Sequence, residues 1–497
     1  MFKETFFSSN LYKKKIDKEG MQETITTFMG NTTTPTISAT QKDKCEGVVV
    51  ESELLYALKQ MKNGSAPGCD GITVEFLKMF WARISKLLTL SFNSAFENGN
   101  LSSSQRKAVI TLIHKGKDLA RDKLKNWRPI SLTNSDYKLL AKCLALRLGD
   151  VINDVVSGDQ VGYIKRRRVS MLLRLIDDVT DQLNVRQKPG LLLTIDYCQT
   201  FDRISKDFMI HTFKKIGFGP DFVKWVNVLM ADAKSCVAYC GWLSEYFAVE
   251  AGIRQGCPFS PLTFVLAVEL LAIKIRQCEN IKGLNYWKAR NGLLESIIKI
   301  ALCADDLTLF LKDEHDMQQA LKILAEFSTF SRLEINRMKS EAMWLGSKQN
   351  CTDTFFGFVW KRRLKILGVY FACDKCASQV EENWTGRVEN IKRIINAWEK
   401  RNLSIAGKVC IIKTFLISQY VYIMQALVVP DPVLTQVNRI LFRFLGRKKD
   451  CNRKAFEKVK RTVVCGALEN GGLKMIDLKQ MQAAFLLQWV GRLFQAR

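Results

Sequence analysis

Three aspartates, each beside an apolar run, are the side chains of this chain best suited to bind divalent metal ions. Asp196 follows the apolar residues 191–195, and Asp305 and Asp306 stand between two apolar runs in IIKIALCADDLTLFL, residues 297–311. Ionised carboxylates at the edge of a core need a compensating charge, and Mg²⁺ binds a few carboxylates together with substrate phosphates. The pattern predicts a clamp for two Mg²⁺ ions, about 3.5–4 Å apart, which Mn²⁺ could also occupy. Adjacent acids at a turn are common on surfaces, so the pair without Asp196 would fit an ordinary turn.

Two local structures must position these carboxylates. The continuous apolar run before Asp196 predicts a buried strand that ends where the carboxylate can enter a cleft. The apolar runs on either side of Asp305 and Asp306 contain no Gly or Pro, which predicts a tight hairpin with both acids at its tip.

The rest of the chain divides by its pattern. A helical pattern starts near Glu51 and ends at the turn cluster of residues 63–71, and helices then alternate with short β-rich runs to about residue 370. From about Glu381 the pattern is helical. Residues 1–50 are polar and Thr-rich, which predicts a flexible leader or the remnant of a linker.

Size and charge limit the classes of function. The 497 residues can form two to four packed units, and 47% hydrophobic with 25% charged residues excludes wholesale disorder. The 75 Lys and Arg residues against 49 Asp and Glu give a net charge of +26, which predicts binding to a polyanion such as nucleic acid or an acidic membrane surface. The basic clusters are dispersed, which suits a long nucleic-acid groove; they are residues 13–15, 166–168, 361–363 and 447–449.

A membrane is the weaker alternative. The longest apolar stretch, residues 415–429, is interrupted by Ser418, Gln419 and Gln425, and residues 1–15 lack the apolar core of a secretory signal. No membrane partner is therefore expected.

The cysteines indicate a reducing compartment. Fifteen cysteines without a regular framework favour free thiols in the cytosol or nucleus. The one close C-x-x-C pair, Cys373 and Cys376, has no histidine nearby, so two ordinary thiols are favoured over a zinc site.

A series of motifs resembles the reverse transcriptases of non-LTR (LINE-type) retrotransposons, in the family's order and over roughly residues 50–480. Any one motif is a weak signal, but eight in order are hard to obtain by chance. They are residues 65–81, 126–148, 194–202, 252–264, 303–306, 333–341, 364–371 and 403–418.

The resemblance implies an α+β fold shaped as a right hand, with an antiparallel palm sheet and a helical thumb. It places the fingers at residues 51–190, the palm at 191–372, and the thumb with a C-terminal extension at 380–497. It also implies an RNA-directed DNA polymerase that adds deoxynucleoside triphosphates to a DNA primer or target on an RNA template. Action in the nucleus, beside the cytoplasm as an alternative, follows only from the target-primed integration that the resemblance implies.

The resemblance also assigns roles to individual side chains. Asp196, Asp305 and Asp306 would bind the metals, and a rigid Phe201 ring would exclude ribonucleotides by clashing with their 2′ hydroxyl. The other matched residues form two groups: Lys115, Arg128, Gln255, Gly256 and Lys339 would bind the nucleotide and its phosphates, and Leu367 and Gly368 would contact the primer end.

The chain departs from the family pattern at three places. Gln199-Thr200 replaces a usual Lys-Ala, Cys303 replaces a usual aromatic residue, and Arg166-Arg167 replaces a usual Gly-Arg. None of these changes removes a metal ligand. Such elements generally carry an endonuclease upstream, so we expect this chain to be the polymerase segment of a longer element protein.

Two alternatives remain open at the level of sequence. The first is a catalytically decayed or non-catalytic nucleic-acid-binding protein on the same fold, which explains the charge equally well. The second is a group II intron maturase or an RNA-templated RNA polymerase, although Phe201 argues against ribonucleotide use. No segment carries a base-reading motif, so template specificity, protein partners and oligomeric state are not predicted.

Overall fold

The structure is a computed structural model that describes residues 18–116, 120–123, 126–289, 293–373, 381–446 and 460–495. The basic clusters at residues 13–15 and 447–449, and Cys376 of the C-x-x-C pair, lie outside the described residues. The chain forms two compact units. The first unit contains Met1–Arg167 and Leu193–Ser340, and the second contains Arg168–Leu192 and Glu341–Arg497.

Helices form most of both units. In chain order they are α1 (Lys18–Met29), α2 (Ala39–Cys45), α3 (Glu51–Gln60), α4 (Val74–Met79), α5 (Trp81–Asn98), α6 (Ser135–Val155), α7 (Val169–Arg186), α8 (Thr200–Arg203), α9 (Lys206–Ile216), α10 (Pro220–Met230), α11 (Ser260–Gln277), α12 (Glu314–Ser331), α13 (Gly386–Glu399), α14 (Ile405–Ile411), α15 (Ser418–Met424), α16 (Asp431–Gly446), α17 (Arg461–Cys465) and α18 (Leu478–Gln495). Short 3₁₀ turns occupy Gly346–Lys348 and Leu468–Asn470, and π-helical segments occupy Glu381–Thr385 and Ile412–Ile417.

The strands are short, and both units contain some of them. They are β1 (Lys107–His114), β2 (Trp127–Thr133), β3 (Gly190–Ile195), β4 (Lys234–Tyr239), β5 (Trp242–Leu243), β6 (Phe247–Ala248), β7 (Leu284–Ala289), β8 (Leu293–Ile298), β9 (Ile300–Cys303), β10 (Asp306–Leu311), β11 (Glu341–Leu345), β12 (Val359–Trp360), β13 (Arg363–Ile366) and β14 (Val369–Ala372).

Two long helices form the centre of the first unit. α6 is Leu-rich and buries most of its length, and α11 is apolar on nearly every face, so it needs protein around its whole circumference. Pro261 stands in the first turn of α11, where the missing N–H costs no hydrogen bond. The buried Glu269 of α11 is paired with Arg276, whose Nη1 lies 2.8 Å from Oε1 of Glu269. The buried charge is therefore paired with a cation about two turns further along the same face of the helix.

The first unit holds two strand systems near these helices. β1 pairs with β2 antiparallel and with β4 parallel, while β4 also pairs antiparallel with β5 and with β6. β9 and β10 form an antiparallel hairpin, and β10 is also a neighbour of β3. β3 is buried along nearly all its length, as the apolar run before Asp196 predicts.

The expectation of an antiparallel palm sheet is only partly correct. The β9–β10 hairpin is antiparallel, but β11 and β12, which also fall in residues 191–372, pair in parallel. The long connection from residue 346 to 358 explains the difference, because it returns the chain to the starting end of β11 before β12 begins.

The expectation of a flexible leader is wrong for residues 18–50, which contain α1 and α2. α1 contacts α9 and α12, and its Met21, Ile25 and Phe28 are almost fully buried. The Phe28 ring centroid lies 5.2 Å from that of Phe330. Polar composition misled the interpretation, because a single apolar face is enough to dock a helix.

The second unit combines α7, β11–β14 and a helical C-terminal part. β13 and β14 form a hairpin with Ile366 opposite Val369. Helices dominate from Gly386 onward, where the indole of Trp398 stacks on the Phe415 ring at 5.9 Å between centroids. The ranges assigned to fingers, palm and thumb stay a prediction.

One helical run in the described part of the chain, Ile405–Met424, has the length and apolar composition of a membrane span, and 44% of it is buried within the protein. This helical run begins ten residues before the apolar stretch 415–429 that the sequence shows. It does so because the π-helical segment Ile412–Ile417 joins α14 to α15 without a break. A single helix of this kind is weak evidence for a membrane, since core helices share these properties.

We predict that Phe28→Ala destabilises the first unit by about 3–5 kcal/mol, because the change empties a site lined by aromatic rings. Chemical denaturation followed by circular dichroism measures the loss. Thr24→Ala, at an exposed position of the same helix, is the control. A Phe28→Ala loss no larger than that of the control would show that α1 does not dock.

Candidate active site

The end of β3 places Asp196, and a crossing segment fixes its backbone. The Asp196 N–H donates to Oγ of Ser340 at 3.0 Å, and the Asn336 N–H donates to the Asp196 carbonyl at 2.8 Å. Ser340 Oγ in turn donates to the Asn336 carbonyl at 2.9 Å. The strand therefore ends at Asp196, as predicted, and the peptide groups on both sides of its side chain are held.

The β9–β10 hairpin carries the other two carboxylates. Cys303 pairs with Asp306, which leaves Ala304 and Asp305 as a two-residue loop. Ala304 has a φ of +58°, a left-handed conformation that suits the twist of a short hairpin but is unusual for a residue with a side chain. The predicted hairpin with acids at its tip is confirmed.

The carboxylates of Asp196, Asp305 and Asp306, here called the carboxylate cluster, lie close enough to alter one another's ionisation. Burial, and after it the negative charge of Asp196, raises the pKa of Asp305. Loss of surrounding solvent, then the charges of Asp305 and Asp196, raises the pKa of Asp306 to about 6. Two hairpin acids whose ionised forms are disfavoured, beside the charge of Asp196, need positive charge nearby.

Positively charged side chains of the protein lie near this cluster. Lys339 Nζ lies 4.0 Å from Oδ2 of Asp196, and the positive charge of Arg128 lowers the pKa of Asp305. Burial lowers the pKa of Lys115, and the neighbouring charges of Lys339 and Arg128 lower it further. The three predicted phosphate-binding cations are therefore brought together beside the acids, which provides the charge pattern for a triphosphate.

The residues predicted to contact the sugar and base are also in the first unit. The Phe201 ring stacks on Phe264 of α11, with 5.1 Å between centroids. Gln255 Nε2 donates to Oδ2 of Asp202 at 2.9 Å. Gly256 has a φ of +106°, and a Cβ there would lie 3.1 Å from the Ser131 carbonyl oxygen, so glycine fits this turn best.

Leu367 and Gly368 belong to the second unit, where they form the two-residue turn between β13 and β14. Both have positive φ, and Tyr422 Oη donates to the Leu367 carbonyl at 2.7 Å. Their contact with a primer stays a prediction.

The departures from the family pattern have structural counterparts. Arg166 has a φ of +69° where the family usually has Gly, so the expected turn is kept with an arginine in it. Arg167 donates from Nη2 to the Val156 carbonyl at 2.7 Å and so binds the chain just after α6. Thr200 Oγ1 donates to Oδ2 of Asp305 at 3.4 Å, and burial raises the pKa of the Cys303 thiol to about 11.

Four residues at the site have contacts that the sequence reasoning did not anticipate: Asn336, Ser340, Gln160 and Tyr163. Gln160 binds Ala304 at the hairpin tip, and Tyr163 is a solvent-exposed aromatic residue with a φ of +57°. The part of the Tyr163 side chain that is shielded from solvent, and after it the charges of Asp305 and Cys303, raises the pKa of the phenol. Its hydroxyl therefore lies within electrostatic range of the cluster. In the sequence, the one indication of this contact with the hairpin is a polar Gln160 close to Gly162, directly after an apolar helical pattern.

The donor set of the carboxylate cluster fits divalent metal ions. Its oxygens are hard ligands, and burial together with neighbouring negative charge raises the pKa of Asp305 and of Asp306, which a divalent cation would offset. Within the described ranges, the group of three potential ligands that lie within 4.8 Å of one another is a different one, Asp313, His315 and Asp316, so the oxygens of the carboxylate cluster are more widely spaced. Asp313 there caps α12 by accepting from the Asp316 N–H at 3.1 Å, and the Asp316 carboxylate accepts backbone N–H bonds from Lys282 and Gly283, so these acids are satisfied without an ion.

Comparison with known proteins agrees with this geometry. The family described as reverse transcriptase (RNA-dependent DNA polymerase) matches residues 113–371, just over half of the 497 residues, and the match spans the whole carboxylate cluster. The chain belongs to the reverse transcriptase family.

Several relatives of this chain are named as proteins of transposable elements. It is 29% identical over 473 residues to the Transposon TX1 uncharacterized 149 kDa protein of Xenopus laevis, covering 93% of this chain and 34% of that protein. It is 23% identical to a Pol polyprotein from the type-1 element R2 of Popillia japonica, covering 59% of this chain and 39% of that one. It is 26% identical to the probable RNA-directed DNA polymerase from transposon BS of Drosophila melanogaster, covering 43% and 23%. The resemblance to non-LTR elements is confirmed, and this chain spans roughly a third of the length of the first two relatives.

The raised pKa of Asp306 gives a stability prediction with a defined sign. Between the ordinary value of 3.8 and about 6, the Asp306 carboxyl binds more protons in the folded chain than in the unfolded chain, so its contribution to stability falls as pH rises through that window. We expect Asp306→Asn to melt at a higher temperature than the parent at pH 7.5 in EDTA, and at the same temperature below about pH 3, where the carboxyl is protonated in both states.

The same variant should lose the stabilisation that added Mg²⁺ gives the parent, because a ligand has been removed. Differential scanning calorimetry measures both effects, and Asp43→Asn, an exposed acid in α2, is the control. A parent and an Asp306→Asn variant with equal melting temperatures at pH 7.5 would contradict the charge repulsion.

Proposed function

We propose that this chain is an RNA-directed DNA polymerase that adds deoxynucleotides to a primer 3′ hydroxyl. The observation that carries the proposal is the meeting of three carboxylates with three cations: Asp196, Asp305 and Asp306 beside Lys115, Arg128 and Lys339. Acids alone would fit many metal sites, and cations alone would fit any phosphate. Together they match a metal-bound triphosphate.

The carboxylates hold the metals in this mechanism. Two Mg²⁺ ions bound there would favour the deprotonated 3′ hydroxyl and offset the charge of the triphosphate and its pyrophosphate leaving group. Asp196, directly after β3, and Asp305, in the hairpin loop, fix the spacing of the oxygens, and Asp306 at the start of β10 completes the ligand set. Because both strands are buried behind their acids, the ligands are held before substrate arrives.

The cations and the pocket orient the nucleotide. Arg128 presents a planar guanidinium that can bind two phosphate oxygens, and Lys115 adds a compact charge. Lys339 stands beside Asp196, where it can give a proton to the departing pyrophosphate. Phe201, braced by Phe264, would exclude the ribose 2′ hydroxyl, and Gln255 and Gly256 would line the base side of the pocket.

The nucleic-acid partners follow from charge and family. The net charge of +26 favours a template and primer bound by their phosphates, with an affinity that falls steeply as salt rises. We propose an RNA template and a DNA primer or target, with retrotransposition in the nucleus as the setting. We also propose the fingers, palm and thumb at residues 51–190, 191–372 and 380–497, with Leu367 and Gly368 of the palm at the primer end.

Asp305→Asn should lower primer extension on poly(rA)·oligo(dT) with Mg²⁺ by about 100-fold or more, because a ligand that stabilises transition-state charge is lost. Binding of the same duplex, measured by filter retention, should change by less than about twofold, because the loss acts on the transition state rather than on ground-state binding. Asp43→Asn is the control.

Activity retained in Asp305→Asn would overturn the assignment of the carboxylates. A parent chain that binds the duplex and incorporates no nucleotide would instead support the alternative of a decayed, nucleic-acid-binding protein.

Phe201→Val should raise ribonucleotide incorporation relative to deoxynucleotide incorporation by about tenfold, because the smaller side chain leaves room for the 2′ hydroxyl. Single-nucleotide extension kinetics with dTTP and UTP give the ratio of kcat/KM values. Phe76→Val, on a partly exposed ring of α4, is the matched control. An unchanged sugar preference would refute the gate.

A further inference from the structure

A short segment of the first unit, residues 157–162, runs beside β9 and reaches the hairpin tip. We call it the support segment. The Val161 N–H donates to the Leu302 carbonyl at 2.8 Å, and the Leu302 N–H donates to the Asp159 carbonyl at 2.9 Å. These bonds form a parallel bridge between Gln160 and Leu302, so Gln160 is placed two residues behind Ala304.

The Gln160 amide binds the backbone of the hairpin tip. Its Oε1 accepts from the Ala304 N–H at 2.9 Å and from the Gly162 N–H at 2.8 Å, and its Nε2 faces the Ala304 carbonyl at 3.5 Å. Gln160 is only 1% exposed, so water does not compete for these bonds. One side chain thus contacts both polar groups of the Ala304 backbone.

Ala304 is the residue where the hairpin needs such a contact. Its φ of +58° is a conformation that an alanine rarely adopts without help. The peptide that follows it carries Asp305, so a return of Ala304 to negative φ would rotate that carboxylate away from Asp196. The bonds from Gln160 oppose this rotation.

The support segment is itself anchored to the core. Arg276 binds Asp159 through two bonds, Nε to Oδ2 at 2.7 Å and Nη2 to Oδ1 at 2.8 Å. The Ser157 N–H donates to Oε1 of Glu269 at 3.2 Å. Gly162 completes the fit, because a Cβ there would lie 2.3 Å from the Ala304 nitrogen. The amide is therefore presented from a rigid base.

We propose that Gln160 is a positioning residue for DNA synthesis, which acts through the Ala304 backbone to hold Asp305 and Asp306 facing Asp196. Its polar side-chain atoms bind the backbone of Ala304 and Gly162. The expected loss of kcat rests on the proposed polymerase function. The expected loss of metal affinity rests on the hairpin geometry alone.

Gln160→Met tests this, since methionine keeps the volume and removes the hydrogen bonds. We expect kcat for primer extension to fall by about 10- to 100-fold, with the KM for dTTP changed by less than about twofold. Gln105→Met is the matched control: Gln105 is 3% exposed and binds Asp136 and Ser102, and it lies outside the site. We expect Gln105→Met to lower the melting temperature by about as much as Gln160→Met does and to leave kcat unchanged.

A second readout does not depend on turnover. Mn²⁺ affinity, measured by calorimetric titration of the full chain, should weaken by about tenfold in Gln160→Met and stay unchanged in Gln105→Met, because supporting groups orient metal ligands.

Ala304→Gly supplies a rescue. Glycine adopts positive φ without strain, so the Gln160→Met loss in kcat and in Mn²⁺ affinity should be at least about threefold smaller when it is measured in the Ala304→Gly background.

The inference is overturned if Gln160→Met keeps its kcat and Mn²⁺ affinity, if Gln105→Met loses them equally, or if the losses are the same in the parent and in the Ala304→Gly background. A parent chain without primer extension would remove the proposed function, while the Mn²⁺ titrations would still decide whether Gln160 positions the carboxylates.

Discussion

Negative charge concentrated in a small, partly buried volume is the constraint that the first unit is built around. Burial, and after it the charge of Asp196, raises the pKa of Asp305, and burial with the charges of Asp305 and Asp196 raises the pKa of Asp306. A fold gains nothing from this repulsion in the absence of a cation, so the surrounding elements must hold the acids in place against it. A site that costs stability when empty is one that gains most when a divalent ion and a polyphosphate arrive.

Rigid backbone is the means by which the chain resists that repulsion. Asp196 is tied on both sides by Asn336 and Ser340, and the hairpin tip is bound from behind by Gln160. In each case a neutral side chain or peptide group is used, which adds no further charge to the cluster. Positive φ recurs at Ala304, Gly256 and Arg166, and two of these carry side chains. Strain of this kind persists only where neighbouring contacts determine the conformation.

Much of the site could be predicted from the sequence because its determinants are local. An apolar run that ends in Asp196, and two apolar runs around Ala304-Asp305-Asp306, define a strand and a hairpin without reference to the rest of the chain. The order of the motifs then identified the family. The same local reasoning failed for residues 18–50, where few apolar residues were taken for disorder although they form one packed face of α1. It also missed the parallel pairing of β11 with β12, since pairing direction depends on the connection.

What the sequence alone determined, then, is which residues are acids, cations and strand formers, and in what order they occur. Only the tertiary structure decided that Lys115, Arg128 and Lys339, far apart in the chain, share one electrostatic environment with the acids. Only the tertiary structure, likewise, decided that the amide side chain of Gln160 is buried against Ala304. The physical reason is that charge and hydrogen bonding act over a few ångströms of space, whereas sequence spacing fixes distance only within one helix, strand or turn.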